Sequence, residues 1–108
     1  MNEKLLNLFG MARRAGKLSI GFEAVKQAIL SKKADVVFAA ADLSVKTVKE
    51  LRFVCDPREI KVHVLPWDQM TLSNAIGIKA GCVSLNDPGF AKKADTLTQI
   101  STGEEKPL

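Results

Sequence analysis

KLSIGFEAVKQAILSKKADVVFAAAD, residues Lys17 to Asp42, decides the fold. The short extended run from Lys17 to Ile20 gives way at Gly21 to a helical pattern. In that pattern Phe22, Val25, Ala28 and Ile29 recur at three- and four-residue spacing, leaving Glu23, Lys26 and Gln27 on the solvent side. Lys32 and Lys33 read as solvated loop charges, and DVVFAAA from Asp35 has the length and β-branched content of a strand buried on both faces. At Gly21 the open end of a helix, with unpaired backbone N–H groups, points outward where the chain reverses, which suits an anion or phosphate. A lone glycine before a helix can equally do no more than turn the chain.

The flanks extend the same alternation. Before it, Asn2 to Ala15 reads as a helix with Leu5, Leu8, Phe9 and Ala12 on one stripe, ended by Gly16. Arg13 and Arg14 fall in its last turn, where they either stabilise the negative end of the helix dipole or join Lys17 as a basic patch beside the Gly21 turn. After it, Ser44 is a good N-cap for a third helix with Val45, Val48, Leu51 and Cys55 inward and Lys46, Lys49, Glu50 and Arg52 outward. Pro57 stops that helix, and KVHVL from Lys61 alternates into a strand. Trp67 reads as a loop anchor, and Asp68 caps a fourth helix carrying Leu72, Ala75 and Ile76 inward and ended by Gly77. A loop from Ile78 to Gly81 leads to a fourth strand, Cys82 to about Leu85. Asp87 and Pro88 then open a last helix that runs to Thr98, leaving 99–108 as a mobile tail. Strands alternating with helices predict a single α/β domain over residues 1–98, with a central sheet of about four strands covered by helices on both faces.

Composition narrows the function classes. The 108 residues, 46% of them hydrophobic, suffice for one packed core, and the formal charge of +4 leans towards an anionic partner. Cys55 and Cys82 lack the paired spacing of a zinc or redox site. No apolar run approaches the roughly 20 residues that span a bilayer, and the first residues are charged rather than those of a signal peptide, so the expectation is a cytoplasmic protein with reduced thiols and no membrane partner. His63 is the only histidine, so a metal cluster or histidine-based nucleophile lacks partners. GFEAVKQA has neither the spacing nor the lysine of a nucleotide-binding loop, and paired carboxylates for acid–base chemistry are not evident. Neither a catalytic residue nor a metal, cofactor or small-molecule substrate is expected.

RRAGKLSIGFEAVKQAI, ADVVFAAADLS, TLSNAIGIKAG and NDPGFAKK, in this order and spacing over residues 3–95, resemble the ribosomal protein family of L-seven-Ae and L-thirty-e type, in particular its small bacterial YlxQ-type members. The resemblance implies a three-layer α/β/α sandwich with a central mixed sheet of about four strands, and a non-enzymatic, RNA-binding protein in or near the translation apparatus. It also implies an RNA surface built from Gly21 to Gln27, the strand end at Ala41 and Asp42, and the loop Ile78, Lys79, Ala80 and Gly81.

Carried over by position, Gly21 matches the family glycine that lets backbone N–H groups approach RNA, and Asp42 matches the aspartate closing the buried strand, where it can also cap the turn before Ser44. Kink-turn binders supply asparagine, glutamate and lysine where this chain has Glu23, Ala24 and Gln27. A carboxylate at Glu23 can accept from a guanine but repels phosphate, and Ala24 offers no hydrogen bond. Backbone N–H groups with Arg13, Arg14, Lys17, Lys26 and Lys79 then remain as candidate phosphate contacts, Phe22 counts with the RNA surface from Gly21 to Gln27, and recognition becomes shape-driven. A protein-interaction or substrate-recognition module without its own RNA target is the other class left open.

Overall fold

The computed structural model describes residues 3–105, with side chains as far as Thr98. Helix α1 spans Glu3–Arg14, strand β1 Leu18–Ile20, α2 Phe22–Leu30, β2 Val36–Ala39 and α3 Val45–Cys55. A 3₁₀ turn at Asp56–Arg58 leads into β3, Lys61–Val64, then α4, Gln69–Ile76, β4, Cys82–Leu85, and α5, Pro88–Glu105. The sheet order is β1-β4-β2-β3, with β4 antiparallel to both neighbours and β2 parallel to β3.

Side-chain alternation along the central strands feeds two cores. Val36, Phe38, Val83 and Leu85 face a layer formed by α1, α4 and α5, where Leu5, Phe9, Leu72 and Ala94 are buried. Val37, Ala39 and Cys82 face the other way, against Val25 and Ile29 of α2 and Leu51 and Cys55 of α3. The result is the expected three-layer α/β/α sandwich around a mixed four-stranded sheet. β2 is buried along its whole length, as its apolar run requires. Ser84 is the one polar residue fully buried among the described residues. Its hydroxyl donates to Asn86 at 2.8 Å, and the Asn86 amide donates to Ser19 at 2.8 Å, so the burial leaves no group unpaired.

Three expectations change. Val45 is 71% exposed, because the first turn of α3 begins outside the end of the sheet where no strand underlies it. Ala75 is exposed as well: α4 meets the core along the line of Leu72 and Ile76. Ala75 is turned aside, with its carbonyl oxygen 3.4 Å from where a Cβ on Gly10 would lie. Finally, α5 continues past Thr98 to Glu105, since no residue before Pro107 obliges a helix to stop. Residues 106–108 and the side chains of 99–105, on which the mobile tail was expected, lie outside what is described.

Candidate nucleic-acid interface

Strand register decides which loops meet. Ile20 pairs with Val83, and Ala39 pairs with both Cys82 and Val64, so the ends of β1, β2 and β3 and the start of β4 share one end of the sheet. Hydrogen bonds join the four connections there. Gly21 N–H donates to the Cys82 carbonyl at 2.9 Å, Ala40 N–H to Gly81 at 2.9 Å, and Ala41 N–H to Trp67 at 2.8 Å. The turn at Gly21, the strand end at Ala41 and Asp42, and the loop Ile78–Gly81 thus form one continuous edge.

Gly21 is the N-cap of α2, with φ 91° and ψ 160° and no side-chain capping bond. A β-carbon there would meet nothing within 4 Å, so glycine is required by the backbone angle rather than by crowding, and the space over the first turn is open. The first-turn N–H groups of α2 therefore face that open space. Glu23, Ala24 and Gln27 are exposed on the same helix, Phe22 is half-buried, and the Lys26 ammonium stands 5.8 Å from the Phe22 ring centroid, a cation–π arrangement.

Opposite the turn, the loop presents Ile78, 45% exposed, and Lys79, while Ala80 is only 2% exposed and belongs to the core. Ser73 holds Ala80 at both ends: Ala80 N–H donates to the Ser73 hydroxyl at 2.8 Å, and the hydroxyl donates to the Ala80 carbonyl at 3.3 Å. Ala80 thus shapes the loop and cannot offer its methyl group to a ligand. Gly81 lets the loop tuck in, since a β-carbon would lie 2.9 Å from Leu43 and 3.1 Å from Gln69. Asp42 accepts a hydrogen bond from Gln69 N–H at 2.9 Å, so its carboxylate ties the end of β2 to the start of α4, not to the turn before Ser44. Gln69 is the structural residue of this edge that the pattern missed, and nothing in a single sequence signals a bond across 27 positions.

The basic residues do not cluster as expected. Lys17 precedes Leu18, which pairs with Leu85 at the far end of the sheet, and it lines a cavity there with Lys32, Lys33 and Asn86. Arg13 donates to the Ile76 carbonyl at 2.8 Å, locking α1 onto the carboxyl end of α4 at the base of the 78–81 loop. Arg14 is exposed and lies back along α1, with its Nη1 3.6 Å from a β-carbon placed on Gly10. Of these cations, Lys26 on α2 and Lys79 in the 78–81 loop are the two that lie along the edge.

Burial sets the character of three further titratable groups. Burial pushes the thiols of Cys55 and Cys82 up to about 11, which disfavours a thiolate nucleophile. His63 is stacked on Phe38 with ring centroids 5.3 Å apart, and burial, with Lys61 nearby, lowers its pKa so that it is neutral at pH 7. Among the described residues no group of three metal-ligating side chains comes together, and no helix is long and apolar enough to cross a membrane.

Residues 3–95 match the ribosomal protein L7Ae/L30e/S12e/Gadd45 family. The chain belongs to that family. Over 97 residues it is 34% identical to the RNA-binding protein YlxQ of Enterococcus faecium, covering 90% of this chain and 93% of that one. A structure of a protein of unknown function from Bacillus halodurans superposes with a TM-score of 0.83 at 31% identity, covering 89% of this chain and 97% of the other. The Giardia lamblia 15.5 kD RNA-binding protein shares the fold at 18% identity, with a TM-score of 0.73 over 89% of this chain and 86% of its own. Family membership and the shared fold agree with the three-layer sandwich.

Proposed function

We propose that this chain is a non-enzymatic binder of structured RNA, gripping a bulged or kink-turn-like element of a ribosomal or other translation-associated RNA in the cytoplasm. One observation carries the reading: the uncapped start of α2 at Gly21 faces outward on the same edge as the Ile78–Gly81 loop, and the two are joined through the Gly21–Cys82 hydrogen bond. Backbone N–H groups and the helix dipole at Gly21 suit a phosphate, and Lys26 and Lys79 add charge on either side. Ile78 supplies an apolar surface against which an unstacked base can rest. Membership in a family with RNA-binding relatives supports the same reading.

Glu23, Ala24 and Gln27 bias this grip towards shape over base identity. The decisive measurement is titration against a kink-turn and against a version whose sheared pairs are replaced by Watson–Crick pairs. The parent binds both with similar, salt-sensitive affinity, since phosphate contacts release counterions. The triple change Glu23→Asn, Ala24→Glu and Gln27→Lys confers dependence on the sheared pairs. One good bidentate base contact is worth about 1–3 kcal/mol, roughly one to two decades in affinity. Tight, pair-dependent binding by the parent overturns the shape-driven reading, and salt-insensitive binding or none overturns RNA as the ligand.

A further inference from the structure

A second surface feature runs from the Gly21 end of the sheet along the two helices that cover one of its faces. It is a groove of about 770 Å³ between α2 and α3, floored by Val45, Phe53 and Val54 and flanked by Lys26, Lys46 and Lys49, with Glu50 the one acidic group lining it. Phe53 is 81% exposed, whereas Phe9 and Phe38 are buried and Phe22, Phe90 and Trp67 are partly buried. An aromatic left in water on a helix that has an apolar layer beneath it forgoes the stabilisation of burial. On α3 the spacing of Lys46, Lys49 and Phe53 puts all three on one stripe, and Lys26 answers them from α2.

The groove is continuous with the edge. α2 begins just after Gly21 and α3 just after Ser44, both at the same end of the sheet, so Val45, the first residue of α3, sets the near end of the groove at that end. Lys26 belongs to both regions, because it lines the groove and also stands over Phe22 in the first turn of α2. From Val45 to Phe53 the track along α3 is roughly 12 Å at 1.5 Å per residue. A positively flanked track with an aromatic platform at its far end fits single-stranded nucleic acid, in which phosphates meet lysines and a base stacks on the ring.

We propose that the α2–α3 groove is a second RNA-contacting track, which takes a single-stranded flank of the RNA held at the Gly21 edge and stacks an unpaired base on Phe53. The inference rests on the RNA-binding reading of that edge, and the test separates the two. Three RNAs are titrated: a blunt kink-turn hairpin, and the same hairpin with an eight-nucleotide oligouridine extension on its 5′ or on its 3′ end. One of the extended RNAs binds the parent at least about fivefold more tightly than the blunt one, the lower bound for one stacked base. Phe53→Ala removes that increment and leaves the blunt hairpin unaffected, while Phe53→Trp retains it. The pair Lys46→Gln and Lys49→Gln shrinks the increment and its salt dependence.

Equal affinity of the parent for all three RNAs overturns the groove while leaving the edge intact. Should no hairpin bind, the edge reading fails, and a thiouridine-substituted oligouridine decides the groove by itself: photo-crosslinks in the peptide holding Lys49 and Phe53 support it, and their absence overturns it. Two other occupants are also recognisable. Concentration-dependent dimerisation abolished by Phe53→Ala assigns the groove to a second copy. Binding of an acidic amphipathic peptide, with no gain from either extension, assigns it to a protein. Either result overturns the proposal.

Discussion

Helices α2 and α3 begin side by side at the same end of the sheet and close their first turns in opposite ways. At α3 the Ser44 hydroxyl accepts from Thr47 N–H at 3.1 Å and shares a 2.8 Å hydrogen bond with the Thr47 hydroxyl. At α4 the Asp68 carboxylate accepts from Thr71 N–H at 2.8 Å, and at α5 Asp87 accepts from Phe90 N–H at 3.0 Å. At α2 the cap is a glycine with no side chain to give. Three of these starts are closed by a side chain of the protein itself, while the fourth has no side-chain cap. The contrast separates two roles that a helix start can play, because the donors a cap consumes are the donors a ligand needs.

The largest effect that tests this contrast comes from paired substitutions. Gly21→Val forces a β-branched residue to a φ of 91°, strain of about 1–3 kcal/mol, and puts bulk over the open N–H groups. RNA affinity falls more than tenfold. Ser44→Ala costs about 1 kcal/mol of stability for the lost cap and leaves RNA affinity unchanged. Urea denaturation and RNA titration on both variants read the four numbers. If Gly21→Val folds as the parent does and binds RNA equally well, the open start is not the site; if Ser44→Ala weakens RNA, the closed start is not merely structural.

How much of this was legible depended on the range of the interaction. The caps at Ser44, Asp68 and Asp87 and the turn at Gly21 are local devices, each written within four residues, and each forms as the sequence reads. The buried strand Val36–Ala39 is equally plain from its apolar run. What the sequence hides is that β4 inserts between β1 and β2. Lys17 stands four residues before Gly21, yet an extended strand of about 3.3 Å per residue carries it to the far end of the sheet. Arg13 is claimed by a carbonyl 63 positions away, and Ala80 is drawn into the core by Ser73, neither of which leaves a trace in spacing. The convergence of Gly21, Asp42 and Ile78–Gly81 was accessible through family resemblance, since no periodicity brings three distant loops together.

That displacement of Lys17 sharpens the contrast at the level of single charges. Lys26→Gln removes a cation beside the open start of α2, so RNA binding weakens several-fold and the slope of log affinity against log salt becomes shallower by about 0.7–0.9, as for one lost phosphate contact. Lys17→Gln, at the opposite sheet end, changes neither. Filter-binding titrations at a series of salt concentrations distinguish them. Equal slopes for the two variants would mean that the RNA wraps both ends of the sheet and that the edge is only part of its path.

The smallest effect lies in acid. The Asp68 carboxyl is held below the ordinary aspartate range, chiefly by the Thr71 backbone N–H and then by the Thr71 side chain. Between that lowered value and the unfolded value of about 3.9, the unfolded chain binds more protons than the folded one, so this contribution is present above the unfolded value and is lost as pH falls through the folded value. Asp68→Asn keeps an oxygen to accept from Thr71 but removes the titration. The parent therefore loses stability more steeply than the variant when urea midpoints are followed from pH 5 down towards pH 3, and the two run parallel above pH 5. Gly21 has no side chain to titrate, so Gly21→Ala leaves the acid limb as steep as in the parent while lowering stability at every pH, because alanine is strained at a positive φ. Superimposable acid limbs for the parent and Asp68→Asn would show that the α4 cap is not closed in solution, and the division between closed and open helix starts would then rest on Ser44 and Asp87.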